Sequence, residues 1–189
     1  MKKLILASTS PRRRELLKKL GREFVVLTAD IDETLPDNVD ITAAVCQLAI
    51  KKAGAVWERA PKDRLIVAAD TVVCLDNEVF GKPIDAADAK RMLTRLSGRT
   101  HMVVTGFAVM DAASLYTVSR YEKTFVTFKK LSEREINGYV ATGEPLDKAG
   151  SYGIQALGGG LAESIDGDFE NVIGLPVASL TKLLEEEFG

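Results

Sequence analysis

Histidine is nearly missing from this chain of 189 residues, where His101 stands alone. One imidazole excludes a multi-histidine metal centre within a chain, and a serine–histidine–carboxylate triad would have to be built on that residue. Its place at the start of a predicted strand fits a local hydrogen bond. Cysteine is almost as scarce. Cys46 and Cys74 both lie in apolar surroundings and make no C-x-x-C pair. Zinc and thiol-redox motifs are therefore excluded, and two reduced core thiols are expected. No charge of one sign dominates: 25 Lys and Arg face 27 Asp and Glu, a net charge of −2. That balance gives no bulk attraction to nucleic acid or to an anionic membrane. No apolar run is long enough to span a bilayer. The opening Met1-Lys2-Lys3-Leu4-Ile5-Leu6-Ala7 has the lysines of a signal peptide, but its apolar stretch is short, and Pro11 and three arginines follow. It reads as a first strand. A cytoplasmic protein, with neither nucleic-acid nor membrane partners, is the expectation.

What is present fits a globular protein. The chain is 46% hydrophobic and 28% charged, and a chain of this length can bury a sizeable core without disulfides. Ser10-Pro11 supplies a helix cap and a first-turn proline, and Leu16, Leu17 and Leu20 form the stripe that Gly21 ends. Glu23 to Ala29 reads as a second strand. A longer helix runs from about Thr42 to Arg59. The β-branched run from Leu65 to Leu75 is a buried strand, closed by a turn at Asp76-Asn77-Glu78. A helix starts at Asp85, and two strands within 102–128 form a hairpin. Ser132 and Glu135 make a capping box, a glycine-rich stretch spans 150–160, a strand follows from Leu161 to Ile165, and Pro176 opens a last amphipathic helix. Alternating helices and strands, then a strand-rich middle, predict an α/β protein: a mixed, strongly twisted sheet with flanking helices, as two lobes around a cleft. One domain over 1–189 is expected, for no linker, repeat or low-complexity tract interrupts it.

Four groups can carry chemistry. Asp70 is a carboxylate inside the apolar run Leu65-Ile66-Val67-Ala68-Ala69-Asp70-Thr71-Val72-Val73. Burying it is costly unless it accepts backbone bonds, pairs with a base or meets a cation. Asp30, Asp32 and Glu33 are loop acids, either solvated or available with Asp70 to a hard divalent cation. Ser8-Thr9-Ser10-Pro11-Arg12-Arg13-Arg14 lies at a strand-to-helix junction, where free N–H groups, hydroxyls and guanidinium forks suit phosphate. The same segment is also compatible with an ordinary cap followed by solvated arginines. No Walker loop or G-x-G-x-x-G fingerprint occurs. Lys52 lies seven residues after Val45, about 20° from it on the helical wheel, so it faces inward while Lys51 does not. It either snorkels or meets an anion. Lys82 sits in a Gly-Lys-Pro turn. In Asp147 to Gln155, glycines permit close backbone approach, and Gln155 could read the polar edge of a base.

These blocks closely resemble the Maf family of nucleoside triphosphate pyrophosphatases. The resemblance is carried by 7–17, by Ala69-Asp70-Thr71-Val72, by Gly81-Lys82-Pro83, and by Leu96-Ser97-Gly98 with His101. It continues through Gly143-Glu144-Pro145-Leu146-Asp147-Lys148-Ala149-Gly150 and Gly174-Leu175-Pro176. It implies a fold related to inosine triphosphate pyrophosphatases, with the site in the cleft. It also implies cleavage of a nucleoside triphosphate between the α- and β-phosphates, aided by a divalent cation, Mg²⁺ or Mn²⁺. Asp70 would accept the proton of the attacking water and, with Glu33, hold the metal. Ser8, Arg13, Lys52 and Lys82 would bind phosphates. Arg12, Thr71 and Gln155 match the specificity set of members that act on dTTP and UTP; a 7-methyl-GTP preference is the rival. Ala156 departs from the glycine many members carry. A homodimer is a further expectation of the resemblance, and a nucleotide-binding regulator of division without catalysis is the alternative of another class.

Overall fold

The structure is a computed structural model that describes residues 2–28, 30–35, 39–155 and 160–189. Among these, seven strands form one mixed sheet. The strands are β1 (Lys3–Leu6), β2 (Phe24–Val26), β3 (Arg64–Leu75), β4 (Glu78–Phe80), β5 (Thr100–Asp111), β6 (Thr117–Phe128) and β7 (Ala162–Asp166). Their order is β2-β1-β3-β5-β6-β7, with β4 on β3. β1 runs parallel to β2 and to β3, whereas β3–β4 and β6–β7 are antiparallel. Leu4, Ile5, Leu6 and the run Leu65–Ala69 are wholly buried. Such continuous apolar stretches are what parallel strands covered on both faces require. The β3–β4 turn is made by Asp76 and Asn77, both at positive φ, as a two-residue hairpin demands.

The helices are α1 (Pro11–Lys18), α2 (Ile41–Trp57), α3 (Ala86–Leu96), α4 (Glu133–Ala141), α5 (Phe169–Ile173) and α6 (Val177–Phe188). Their starts follow the expected capping chemistry. Ser10 accepts the Arg13 N–H, Asp40 those of Thr42 and Ala43, and Asp85 that of Asp88, while the Ser132–Glu135 box is complete. One expected bound is corrected and two features are added. β2 stops at Val26, although the Leu27 N–H still reaches the Leu6 carbonyl at 3.0 Å. The stretch after α4 coils into 3₁₀ turns at Glu144–Asp147 and Ala149–Ser151. The five-residue α5 was not expected, since it is too short to show a period. Ala156 lies outside the described residues. None of the helices is long and apolar enough to cross a membrane among the described residues.

The chain divides into two compact units. The first is Met1–Asp70, Thr105–Glu122 and Gly174–Gly189; the second is Thr71–Val104 and Lys123–Ile173. In the first, Ile5, Ala7, Ala53, Val56, Ile66, Ala68 and Met110 form a core sealed by Leu27 and Trp57. α2 presses so closely on β5 that a β-carbon at Gly106 would sit 2.4 Å from the Val45 carbonyl carbon. Only glycine fits there. That contact fixes which face of α2 turns inward, and Lys52 is on that face. In the second unit, α3 packs on α4 and on the 3₁₀ turns, over a core that includes Phe80, Leu93 and Phe128.

Candidate active site

Lys52 joins the two acidic members of the site. The seven-residue spacing from Val45 carries it to the buried face of α2, where it is only 5% exposed, while Lys51 is exposed. It does not snorkel. Its ammonium donates to Asp70 Oδ1 at 2.6 Å and lies 2.9 Å from Glu33 Oε1. Asp70 is itself 8% exposed at the point where β3 leaves the first unit. Its burial is therefore compensated by a basic partner, one of the options open from the sequence. Asp32 and Glu33, neighbours in one loop, separate cleanly. The Asp32 carboxylate accepts from the Thr34 N–H at 2.9 Å and hydroxyl at 2.6 Å and thus builds a turn, whereas Glu33 reaches Lys52.

The β1–α1 junction is a compact set of donors. Ser8 Oγ accepts the Ser10 N–H at 3.2 Å, and Ser10 Oγ accepts the Arg13 N–H at 3.4 Å. Arg13 is held from its own side: its Nε donates to the Gly174 carbonyl at 2.8 Å. Burial pulls the Arg13 guanidinium below its ordinary pKa, and the carboxylates of Asp70 and Glu33 oppose that pull. The first unit thus gathers two cations, Arg13 and Lys52, around two carboxylates, Asp70 and Glu33. Arg12, on the first turn of α1, is half-buried.

A sequence pattern for Maf-like proteins matches residues 3–187. The chain belongs to the Maf family. Two relatives, the dTTP/UTP pyrophosphatases of Pelotomaculum thermopropionicum and Bacillus cytotoxicus, are each 48% identical to it over 186 residues. Those alignments cover 98% of this chain, and 97% and 96% of the two relatives. A looser likeness links it to the structure of a nucleoside-triphosphatase, or dITP/XTP pyrophosphatase, from Mycobacterium abscessus, at 17% identity and a TM-score of 0.44 over 68% of this chain and 75% of that one.

The remaining residues of interest in this Maf protein belong to the second unit. Thr71 is half-buried in β3, and Lys82 is exposed in the turn that follows β4. The Gly81 carbonyl before Lys82 accepts the Gly150 N–H at 3.0 Å. Gln155 is exposed and directly follows the buried run from Gly150 to Ile154. His101 differs from expectation. Its bond is not local: Nε2 meets the Tyr152 hydroxyl at 2.8 Å, 51 residues away. The ring packs edge-on against Phe128 and Tyr152, and burial drives its pKa down to about 4. Two contributors escape a reading of the sequence. The Gly174 carbonyl is a backbone atom without a side-chain signal. Tyr139 reads as one more apolar position of α4, and only the burial of its hydroxyl would single it out.

Among the described residues no cluster of three or more His, Cys, Asp or Glu is disposed for a metal ion. Asp70 and Glu33 do converge on one ammonium. Two hard carboxylates are donors of the kind that Mg²⁺ takes in nucleotide enzymes. The residues fit such an ion completed by its substrate, rather than an all-protein cage.

Proposed function

We propose that this Maf protein is a nucleoside triphosphate pyrophosphatase that hydrolyses dTTP and UTP, including modified uridine nucleotides, to the nucleoside monophosphate and pyrophosphate. The observation that carries the reading is the buried Lys52–Asp70 pair with Glu33 on the same ammonium. The names of the two close relatives supply the substrate class. Lys52, held between two carboxylates, is a cation that can turn toward a phosphate oxygen and leave Asp70 available to water. Asp70 then accepts a proton from water as the water oxygen bonds to the α-phosphorus, and the bond to the bridging oxygen breaks with release of pyrophosphate. Arg13, Ser8, Lys52 and Lys82 would bind the phosphate oxygens and stabilise the charge that develops on them. Glu33 and Asp70 would hold a divalent ion, Mg²⁺ or Mn²⁺, which supplies charge neutralisation of the triphosphate when bound. Arg12, Thr71 and Gln155 would select the base. The reading extends to a cytoplasmic homodimer, checked by light scattering.

The test is Asp70→Asn, which keeps shape and removes the proton acceptor. Loss of general-base catalysis should lower kcat for dTTP by on the order of 10²–10⁴-fold, with dTTP still bound and the fold kept. Pyrophosphate release at the parent rate would overturn the role of Asp70. A parent protein that binds dTTP with Mg²⁺ but releases no pyrophosphate would be a regulator instead, and a panel of dTTP, UTP, dCTP, GTP and 7-methyl-GTP decides the base.

A further inference from the structure

Gln155 is exposed, yet the buried segment that leads to it is tied at four of its five residues, Gly150 to Gly153. Gly150 N–H bonds to the Gly81 carbonyl at 3.0 Å, and a β-carbon on Gly150 would meet Val73 Cγ2 at 2.7 Å. Ser151 Oγ lies 3.0 Å from the Met92 sulfur. The Tyr152 hydroxyl meets His101 Nε2, and its ring stacks edge-on with Phe128. Gly153 N–H donates to the Tyr139 hydroxyl oxygen at 3.0 Å, and that hydroxyl donates onward to Glu144 Oε1 at 2.9 Å. A β-carbon on Gly153 would sit 2.7 Å from Lys148 Cε and 3.1 Å from Glu144 Oε1. Lys148 closes the array by bonding to the Glu144 carbonyl and pairing with Asp147 at 2.6 Å.

A loop that only had to connect two elements would not need four separate anchors in five residues. The chemistry of a glutamine explains the need. Its amide offers an acceptor and a donor side by side, and turned over it presents the reverse pattern. It can thus match a pyrimidine with a carbonyl at position 4 or one with an amino group there. Discrimination requires that the amide be delivered to one place, because a segment free to shift lets the wrong pairing relax.

We infer that Tyr139 is a specificity-positioning residue: through the Gly153 N–H and with Glu144 behind it, it fixes the segment that presents Gln155 to the base. The inference rests on the reading of Gln155 as a base contact. Tyr139 touches no substrate in this scheme. The Gly150–Gly81 bond ties the same segment to the turn that carries Lys82, so base and phosphate recognition share one support within this unit.

The test compares kcat/KM for dTTP and dCTP in the parent, Tyr139→Phe, Gln155→Ala and the double variant. Tyr139→Phe keeps the ring and deletes only the hydroxyl. The ratio dTTP/dCTP should fall roughly tenfold, as loss of one buried hydrogen bond allows, with the change in KM and little in kcat. In the double variant the ratio should be no lower than in Gln155→Ala, because both substitutions act through one amide. A Gln155→Ala protein with the parent ratio overturns the base reading itself. A Gln155→Ala protein that loses the preference while Tyr139→Phe keeps it, or losses that multiply in the double variant, overturns the inference alone. If Tyr139→Phe fails to fold, Glu144→Ala, at a half-exposed position, releases the same hydroxyl and should shift the ratio in the same direction; an unchanged ratio there also overturns it.

Discussion

Two buried polar clusters, one in each unit, solve the same problem in opposite ways. In the first unit the buried groups are ions, Lys52 and Asp70, with the exposed Glu33 on the same ammonium and the half-buried Arg13 close by. In the second they are neutral: His101, Tyr152 and Tyr139, with burial lowering the pKa of the first and raising those of the two phenols. Although the buried His101 Nδ1 has no hydrogen-bond partner among the described residues, a neutral network has no charge to desolvate and holds a shape cheaply. Buried ions do not, for desolvation consumes most of what their attraction gives. Where a chain carries both, the ionic cluster is the one whose cost needs another explanation. A charged substrate supplies it: a carboxylate and an ammonium already desolvated and paired require little reorganisation when a polyphosphate arrives. The neutral cluster then reads as support, and Gln155 is the residue it supports.

The largest expected effect breaks the ionic cluster. Lys52→Met leaves Asp70 buried without its base and should lower stability by about 3–5 kcal/mol, measured as a shift of the urea midpoint. The adjacent Lys51→Met, on an exposed position, should change it by less than about 0.5 kcal/mol. Combining Lys52→Met with Asp70→Asn should recover part of the loss, since Asp70 no longer leaves an unpaired charge buried. Equal effects at 51 and 52 would show that Lys52 is an ordinary surface lysine. The contrast between these neighbours was readable in the sequence because a helix repeats nearly every seven residues. The Glu33–Asp32 contrast was not. Neighbouring acids on a loop have no periodicity, and only the fold decides which one caps a turn and which meets Lys52. The same limit hid Gly174, whose carbonyl holds Arg13, and the hydroxyl of Tyr139. Strand and helix identities were largely legible because capping boxes, prolines and apolar runs are local signals. Partners more than a hundred residues apart, such as Arg13 and Gly174, leave no such mark.

A second prediction probes the neutral cluster by pH. His101 has a folded pKa of about 4 against an ordinary 6.5. Between those values the unfolded chain binds a proton that the folded protein refuses, so stability rises with pH across that window. His101 contributes nothing to the slope above about 6.5. As pH falls from there to about 4, roughly 3 kcal/mol is lost progressively, and below that the loss is complete. His101→Gln can still bond to Tyr152 and cannot titrate, so its stability curve should be flatter by one proton over this window. A parent and variant with parallel curves between pH 4 and 6.5 would mean that the imidazole is solvated.

The smallest effects separate the two helices that serve the clusters. Asp40 caps α2, which carries Lys52, and Ser132 caps α4, which carries Tyr139. Either residue replaced by alanine should cost about 1 kcal/mol in a urea titration. Their consequences for activity should differ. α2 has 17 residues and is pinned by the close approach at Gly106, so fraying its first turn leaves Lys52 three turns away undisturbed. α4 has nine residues, and Tyr139 is the seventh. A frayed box there reaches the residue that holds Gly153. Asp40→Ala should therefore keep both turnover and the dTTP/dCTP ratio, whereas Ser132→Ala should keep turnover and relax the ratio by about twofold, the size expected when a fraction of 1 kcal/mol reaches the site. The reverse pattern, a relaxed ratio from Asp40→Ala alone, would assign base discrimination to the ionic cluster and remove the division of labour between the two.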